Sequence, residues 1–297
     1  MMTNQPVRIA AILASHNRKS LTVQCLRALF AQQSDKLSIQ AFLLDDGSTD
    51  GTSDAVASEF DRVEVIKGDG SYFWNEGMRT AYAAALKSGA DYYLWLNDDT
   101  NLESDALEKL VHTHQTLQKS GKPLSIVVGS VRDPESAALT YGGMIRDSKW
   151  HPFHFKLVEP GNEAQECDVM HGNCVLIPDD VARLVGNMDA GYSHAIGDID
   201  YALKATNKGA SIWIAPGYAG TCSTNPIEGS WLDTSLSLKE RWKQMSGPKG
   251  LPPSDWMLFS RKHAGILWPV FGSLPYVRLV LSSIKAKIRP QELHPIA

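Results

Sequence analysis

Two pairs of adjacent carboxylates stand where apolar runs end. The aromatic-rich stretch Tyr92-Tyr93-Leu94-Trp95-Leu96 leads into Asn97-Asp98-Asp99-Thr100, and residues 39–44 lead into Asp45-Asp46. A third apolar run, residues 7–14, ends in Ser15-His16-Asn17-Arg18. Short continuous apolar runs of this kind suit strands buried on both faces. Open α/β sheets bind ligands at the carboxyl ends of their strands. Neighbouring carboxylates repel each other, so a site that keeps both ionised is helped by a cation with a liking for oxygen. Each feature also has a plainer reading. An Asp after a strand caps the following helix, and Ser48 and Asp50 suffice to cap the helix after Asp45-Asp46.

The elements that must position these residues follow from periodicity. Residues 20–33 carry Leu21, Cys25, Ala28 and Leu29 at helical spacing. Gly47 to Thr52 is turn chemistry that opens a short helix to about residue 60. Residues 63–67 predict a third strand, 75–88 an alanine-rich helix, and 103–119 a further helix. Strands alternating with helices through short loops argue for βαβ units and a parallel sheet. In such a sheet the polar ends of all three strands face the same edge, and that convergence is a stronger sign of a site than any one motif. Beyond 126–130 the pattern loosens. Tyr141-Gly142-Gly143-Met144 suggests a tight bend. A strand within 168–177 is interrupted at His171-Gly172-Asn173. Short helices are expected at 178–186 and 198–208, and a strand at 211–215.

Composition sets bounds. The chain has 297 residues, 43% hydrophobic and 21% charged, enough for a full core. A net charge of −4 gives no reason to expect nucleic acid as a partner. Four scattered cysteines without a CxxC pair predict reduced, packed thiols and a cytoplasmic protein. Residues 7–13 predict a first strand, not a signal peptide, and no apolar run is expected to reach the roughly 20 residues that span a bilayer. From about residue 220 the chain turns aromatic and basic, with Trp231, Trp242, Trp256, Trp268, Arg261, Lys262, Arg278, Lys285, Lys287 and Arg289. Pro269 and Pro275 are expected to break any long helix, leaving short amphipathic ones. Packing onto the main domain is favoured there over peripheral contact with the inner face of the cell membrane.

Asp45-Asp46-Gly47-Ser48-Thr49-Asp50-Gly51-Thr52, then Asn97-Asp98-Asp99-Thr100, then Gly197-Asp198-Ile199-Asp200 resemble the three signature blocks of the family 2 inverting glycosyltransferases of GT-A fold. The resemblance covers about residues 7–216. It implies a Rossmann-like α/β domain at 1–219, with a nucleotide-binding half to about 130 and an acceptor half at 131–219, followed by a C-terminal helical extension at 220–297. It implies transfer of a sugar from a UDP- or dTDP-linked donor to a hydroxyl of a glycan or lipid-linked acceptor, with Mg²⁺ or Mn²⁺. The branch it is most similar to includes bacterial rhamnosyltransferases that build cell-surface polysaccharide.

By that resemblance Asp46 takes the base N–H, Asp45 contacts ribose or orders the loop, and Asp98 lies near ribose or metal. Ser15, His16 and Asn17 complete the nucleotide site, and Asp99 holds the metal. Asp198 is the general base that deprotonates the acceptor hydroxyl, with Asp200 as support or cap. Trp74 and Asn75 line the donor-sugar pocket, or the aromatics of Tyr72-Phe73-Trp74 merely pack a helix start. His171 and His194 stand on the acceptor side. There are departures. His16 replaces the usual aromatic residue, and Gly197 replaces the usual glutamate before Asp198. A non-catalytic nucleotide-sugar or glycan-binding module on the same fold is the competing reading. A nucleotidyltransferase would favour a glycine-rich phosphate loop after the first strand, and residues 14–19 contain no glycine.

Overall fold

The computed structural model describes residues 5–288. The chain divides into two compact units, Met1–Thr224 and Asn225–Ala297. In chain order the first unit comprises β1 Val7–Ser15, α1 Lys19–Phe30, β2 Leu37–Asp45, α2 Thr52–Glu59, β3 Val63–Lys67, α3 Phe73–Ala85, β4 Tyr92–Leu96, β5 Asn101–Leu102, α4 Ala106–Lys119, β6 Ser125–Arg132, β7 Leu139–Tyr141, β8 Gly143–Arg146, β9 Phe155–Leu157, β10 Gln165–Cys167, β11 Val169–Met170, β12 Cys174–Pro178, α5 Asp179–Val185, α6 Gly197–Asn207 and β13 Ser211–Thr221.

The large sheet has the order β10-β13-β6-β12-β4-β1-β2-β3, with β5 beside β13 and β7 beside β6. β1, β2, β3 and β4 pair in parallel. β12 runs antiparallel between β4 and β6, and β13 is parallel to β6. The chain lays β2 and β3 on one side of β1 and returns with β4 on the other. The ends of β1 and β4 therefore flank a topological switch point, where the two halves of the sheet part to leave a crevice.

Side chains alternate across the sheet. Ile12, Phe42, Tyr93 and Trp95 face the core that also holds Met78, Tyr82 and Tyr201. Ile9, Leu13, Leu43 and Leu94 face the opposite core with Leu26, Leu29, Leu107 and Leu110. Both faces are covered, which is why the strands read as unbroken apolar runs.

Several boundaries differ from the sequence expectation. The fourth strand is followed by the short strand β5, which pairs with Gly220 and Thr221, so helix α4 starts at Ala106. The stretch 168–177 divides between two sheets, with β11 in a small three-stranded sheet (order β11-β8-β9) and β12 in the large one. β13 continues past 215 to Thr221, because Pro216 and Gly217 sit in a shift of register and do not end the strand.

The second unit holds α7 Leu238–Ser246, α8 Pro253–His263, a 3₁₀ turn at Gly265–Leu267, and α9 Trp268–Ile288. Ser237 and Glu240 close a reciprocal capping box on α7. The expectation that Pro269 and Pro275 would break the last helix is corrected, since α9 runs 21 residues. Pro269 lies in its first turn, where no N–H is required. Pro275 cannot donate to the carbonyl four residues back, Phe271, and the Trp256 indole Nε1–H donates to that oxygen at 3.0 Å. The expectation of no long apolar run is corrected too. Residues Gly265–Ile284 are long and apolar enough to cross a membrane. Among the basic positions of this region, Arg289 lies outside the described residues.

Helix α3 lies close on β1 and β2 through Gly77. A Cβ there would stand 2.9 Å from the Ala14 Cβ and 3.0 Å from Leu44 Cδ2. Gly77→Val is expected to push the helix off the sheet and destabilise the protein by about 1–3 kcal/mol. Urea unfolding would show this as a lowered midpoint at unchanged slope.

Candidate active site

The loops after β1, β2 and β4 carry the predicted polar residues, and hydrogen bonds between the loops lock them together. Asn17 has a left-handed backbone (φ 52°). Its N–H donates to Ser48 Oγ at 2.8 Å, and its Oδ1 accepts the Thr49 N–H at 2.8 Å. His16 is exposed and held by both ring nitrogens. Nδ1 lies 2.5 Å from the Asp46 carbonyl, and Nε2 lies 3.0 Å from Asn17 Nδ2. A carbonyl can only accept, so Nδ1 carries the proton and Nε2 accepts. The ring is thus presented as a fixed plane at the mouth of the crevice.

Asp45 and Asp46 are both buried. Asp45 accepts from the Ser48 N–H at 3.1 Å and from the Ser53 hydroxyl, and so shapes its own loop. The Asp46 carboxylate accepts three backbone N–H groups: Gly70 at 2.8 Å, Tyr72 at 3.0 Å and Phe73 at 3.1 Å. Both of its oxygens are therefore engaged in fixing the turn that leads into α3. Beside this loop lies a concavity of about 230 Å³ lined by Asp45, Ser48, Thr49, Ser53, Asp54 and Lys67.

The carboxylates after β4 share one cation. The Arg18 guanidinium donates through one nitrogen to Asp98 Oδ1 at 3.0 Å and Asp99 Oδ2 at 2.7 Å. Asp98 is buried, and Thr22 Oγ1 donates to its Oδ2 at 3.4 Å. Ser15, also buried, bonds to Thr22 at 2.8 Å and so braces Asp98 from beneath. Burial pushes the Asp98 carboxyl above its ordinary range, while Arg18 works in the opposite direction. Asp99 is more open, and its second oxygen accepts from the Cys222 thiol at 3.4 Å. Burial first, and then the charge of Asp99, push that thiol up to about 12, so it remains a proton donor at neutral pH.

Asp198 lies in the first turn of α6, and its carboxylate accepts the Gly172 N–H at 2.9 Å and the Ile199 N–H at 2.8 Å. Trp74 links it to the other carboxylates. The indole Nε1–H donates to Asn97 Oδ1 at 2.8 Å, next to Asp98 in the chain. The far edge of the same ring lies against Gly172, where a Cβ would stand 2.7 Å from the ring and 3.5 Å from the Asp198 Cβ. Asn97, Trp74, Gly172 and Asp198 thus form one continuous wall.

Asn75 supports this wall from behind. It is fully buried, and its Nδ2 donates to the carbonyls of Asp189 and Tyr192, both at 2.9 Å. A Cβ at position 197 would fall 1.8 Å from Asn75 Oδ1, so the glycine that replaces the usual glutamate makes room for this amide. Asp200 is buried and accepts from the Tyr192 hydroxyl at 2.7 Å. These bonds hold the loop that places Ile196 in the left-handed region (φ 63°), a strained conformation for a β-branched residue. Asn17, Phe73 (φ 53°) and Ile196 are three of the four non-glycine residues of positive φ among those described, and all three border this site.

His171 follows the small sheet. Burial holds its imidazole below the ordinary value against the pull of Asp198, which keeps the ring neutral at pH 7. Its Nδ1 is buried without a hydrogen-bond partner, and its ring meets Tyr141 edge-on at 5.3 Å. His194 accepts from the Trp74 N–H at 3.3 Å and packs edge-on to Phe73, at the start of α3.

The donor set fits a magnesium- or manganese-type cation. Both prefer oxygen, and magnesium in particular is commonly held by one or two carboxylates together with substrate phosphates. Among the described residues no cluster of three or more His, Cys, Asp or Glu side chains is arranged to hold a metal. Asp99, with Asp98 behind it, would hold the cation, and the remaining ligands would come from a bound diphosphate. Such a cation would take the oxygens that Arg18 now holds. Arg18, Cys222, Asn97 and Gly172 all belong to this geometry, and sequence reasoning assigned none of them a role. Arg18, Asn97 and Gly172 carried a signal, since each stands within a polar segment at or beside a strand, whereas Cys222 carried none.

Residues 10–157, about half of the chain, match the family model described as Glycosyl transferase family 2. Among solved structures, the mannosyltransferase PcManGT from Pyrobaculum calidifontis, in complex with GDP-Man and Mn²⁺, superposes with a TM-score of 0.54 at 15% identity. The match covers 97% of this chain and 77% of that one. No curated protein matches the chain significantly. The structural likeness, with the sheet order above, gives the fold as GT-A, and the family match supports glycosyl transfer as the chemistry.

Removing the shared guanidinium, as in Arg18→Met, leaves two carboxylates uncompensated. Breaking a fully buried pair costs about 3–5 kcal/mol, and with the Arg18 side chain 40% exposed about 1–2 kcal/mol is expected here. An acid whose folded pKa lies above its unfolded value weakens the fold as pH rises through that window. The deficit of the variant should therefore shrink as pH falls toward the raised Asp98 value, in denaturant titrations at several pH values. Isothermal titration should also show Mn²⁺ binding more tightly to the variant than to the wild type, because the competing cation is gone.

Proposed function

Because residues 10–157 carry a family 2 glycosyl transferase domain, we propose that this chain is an inverting glycosyltransferase. It moves a hexosyl or deoxyhexosyl unit, rhamnose-like sugars included, from a UDP- or dTDP-linked donor to a hydroxyl of a glycan or lipid-linked acceptor. The pathway would be cell-surface polysaccharide assembly at the cytoplasmic face. The observation that carries this reading is the wall Asn97-Trp74-Gly172-Asp198. It joins the carboxylates suited to a cation and diphosphate with a carboxylate suited to a general base.

The donor nucleotide would lie across the ends of β1 and β2, with its base on the fixed plane of His16 and its diphosphate toward Asp99 and Arg18. A divalent cation bound with the donor would neutralise charge on the departing nucleoside diphosphate. Arg18, once released from the carboxylates, is a mobile positive charge for the same oxygens. The sugar would sit over Trp74, an apolar ring suited to stacking. Asp198, with one acceptor hydroxyl within reach, would take its proton as the oxygen attacks the anomeric carbon from the face opposite the nucleotide. A single displacement inverts that carbon. The neutral His171 beside Asp198 adds no positive charge to weaken the base. The two N–H groups on Asp198 fix its orientation, a positioning effect on which general-base catalysis depends.

The neighbour's GDP-Man widens the donor panel to UDP-, dTDP- and GDP-sugars, each with and without Mn²⁺. One class should raise the melting temperature, and more so with the cation, because a ligand that binds only the folded state stabilises it. Asp198→Asn should keep that shift while turnover falls roughly a hundredfold or more. Asp99→Ala should lose both the cation-dependent part of the shift and turnover. A donor shift in the wild type without transfer to any acceptor would favour a binding module, and wild-type turnover in Asp198→Asn would place the base elsewhere.

A further inference from the structure

Helix α9 carries a face that its own unit does not cover. Val270, Val277, Val280, Leu281 and Ile284 are all exposed. At 100° per residue they fall in a stripe roughly 100° wide. Ser273 lies within the stripe, but its hydroxyl donates to the Val270 carbonyl at 2.9 Å and so presents little unmet polarity. In the preceding turn Ile266 is 93% exposed. The 20 residues Gly265–Ile284 have a mean hydropathy of 1.3, and only 11% of their apolar 18-residue window is buried. A soluble protein's core helix would be mostly buried, and a leader sequence would lie near the N-terminus, so neither explains this helix.

Charge points to what covers it. Between Asp255 and Glu292 the sequence holds six lysines and arginines and no acidic residue, although the whole chain is −4. Arg261 stacks on the Trp268 ring at 4.5 Å, at the start of α9. Arg278 is exposed beside the stripe. An apolar stripe with the exposed Arg278 beside it, in a stretch whose charges are all positive, matches the boundary between acyl chains and anionic headgroups. A second copy of the chain would bring the same cations against these and be repelled.

The opposite face of α9 excludes a spanning arrangement. Gly272, Leu279 and Ser283 are buried within the unit. The buried Arg241 donates to Ser282 at 3.1 Å and Ser283 at 2.8 Å, and the Tyr276 hydroxyl donates to the Leu251 carbonyl at 3.1 Å. A spanning helix would have to carry this guanidinium and its neighbours into hydrocarbon or break these bonds. We infer that α9 lies in the plane of an anionic lipid bilayer, with the stripe of Val270, Val277, Val280, Leu281 and Ile284 in the acyl boundary and Lys262 and Arg278 on the headgroups.

The test is flotation of the full-length protein with phosphatidylcholine vesicles and with 7:3 phosphatidylcholine:phosphatidylglycerol vesicles. The wild type should float with the anionic vesicles at least tenfold more than with the neutral ones, and alkaline carbonate should release it. Val277→Asp/Leu281→Asp should lose at least tenfold in binding to both. Lys262→Glu/Arg278→Glu, which leaves the stripe intact, should lose binding to the anionic vesicles alone. Circular dichroism melting checks that both variants fold. Wild-type protein that stays at the bottom of the gradient overturns the inference, as does a stripe variant that floats like the wild type. Resistance to carbonate, or a solution dimer by light scattering that the stripe variant dissociates, also overturns it. Donor-induced melting shifts are read separately, so failure here leaves the transferase reading intact.

Discussion

Two neighbouring carboxylates at the end of a buried strand repel each other, and a positive charge between them offsets that repulsion. In this protein Arg18 supplies it, bridging Asp98 and Asp99 from the loop after the adjacent strand. The arrangement ties the ends of β1 and β4 together across the point where the sheet topology reverses. It also defines a centre from which the guanidinium can be displaced by a divalent cation arriving with a diphosphate. A charge held in place by an exchangeable partner suits a binding centre better than a permanent ion pair does.

The remaining acidic residues are anchored by backbone N–H groups. Asp46 gathers the turn before α3, Asp45 shapes the loop it begins, and Asp198 is oriented from two sides. Strain gathers around the same loops, with Asn17, Phe73 and Ile196 in the left-handed region. Buried polar clamps such as Asn75 and the Tyr192–Asp200 pair hold that strain in place. The result is a crevice whose polar groups are largely fixed before any ligand arrives.

Much of this was legible from residue order alone. Unbroken apolar runs marked the central strands because helices cover both sheet faces, and acidic pairs at their ends marked the edge that matters. What was not legible depends on distance in three dimensions. Cys222 is 123 residues from Asp99 and meets it only because β13 runs on beyond Pro216 to the same edge. The need for Gly197 appears only once Asn75 is seen 1.8 Å from where a Cβ would be. The continuity of α9 through Pro275 was hidden because the rescuing donor, Trp256, belongs to another helix. Local rules read Pro275 as a break, and tertiary hydrogen bonding overrode them.

The central claim is that the crevice at the ends of β1 and β4 takes a divalent cation and a nucleoside diphosphate in front of Asp198. Anomalous diffraction from crystals grown with Mn²⁺ and a nucleoside diphosphate tests it most directly. The strongest anomalous peak should lie within coordination distance of the Asp99 carboxylate, with the Arg18 guanidinium turned away from Asp98 and Asp99. A manganese peak on another surface, or a nucleotide bound while Arg18 keeps both carboxylates, would contradict it.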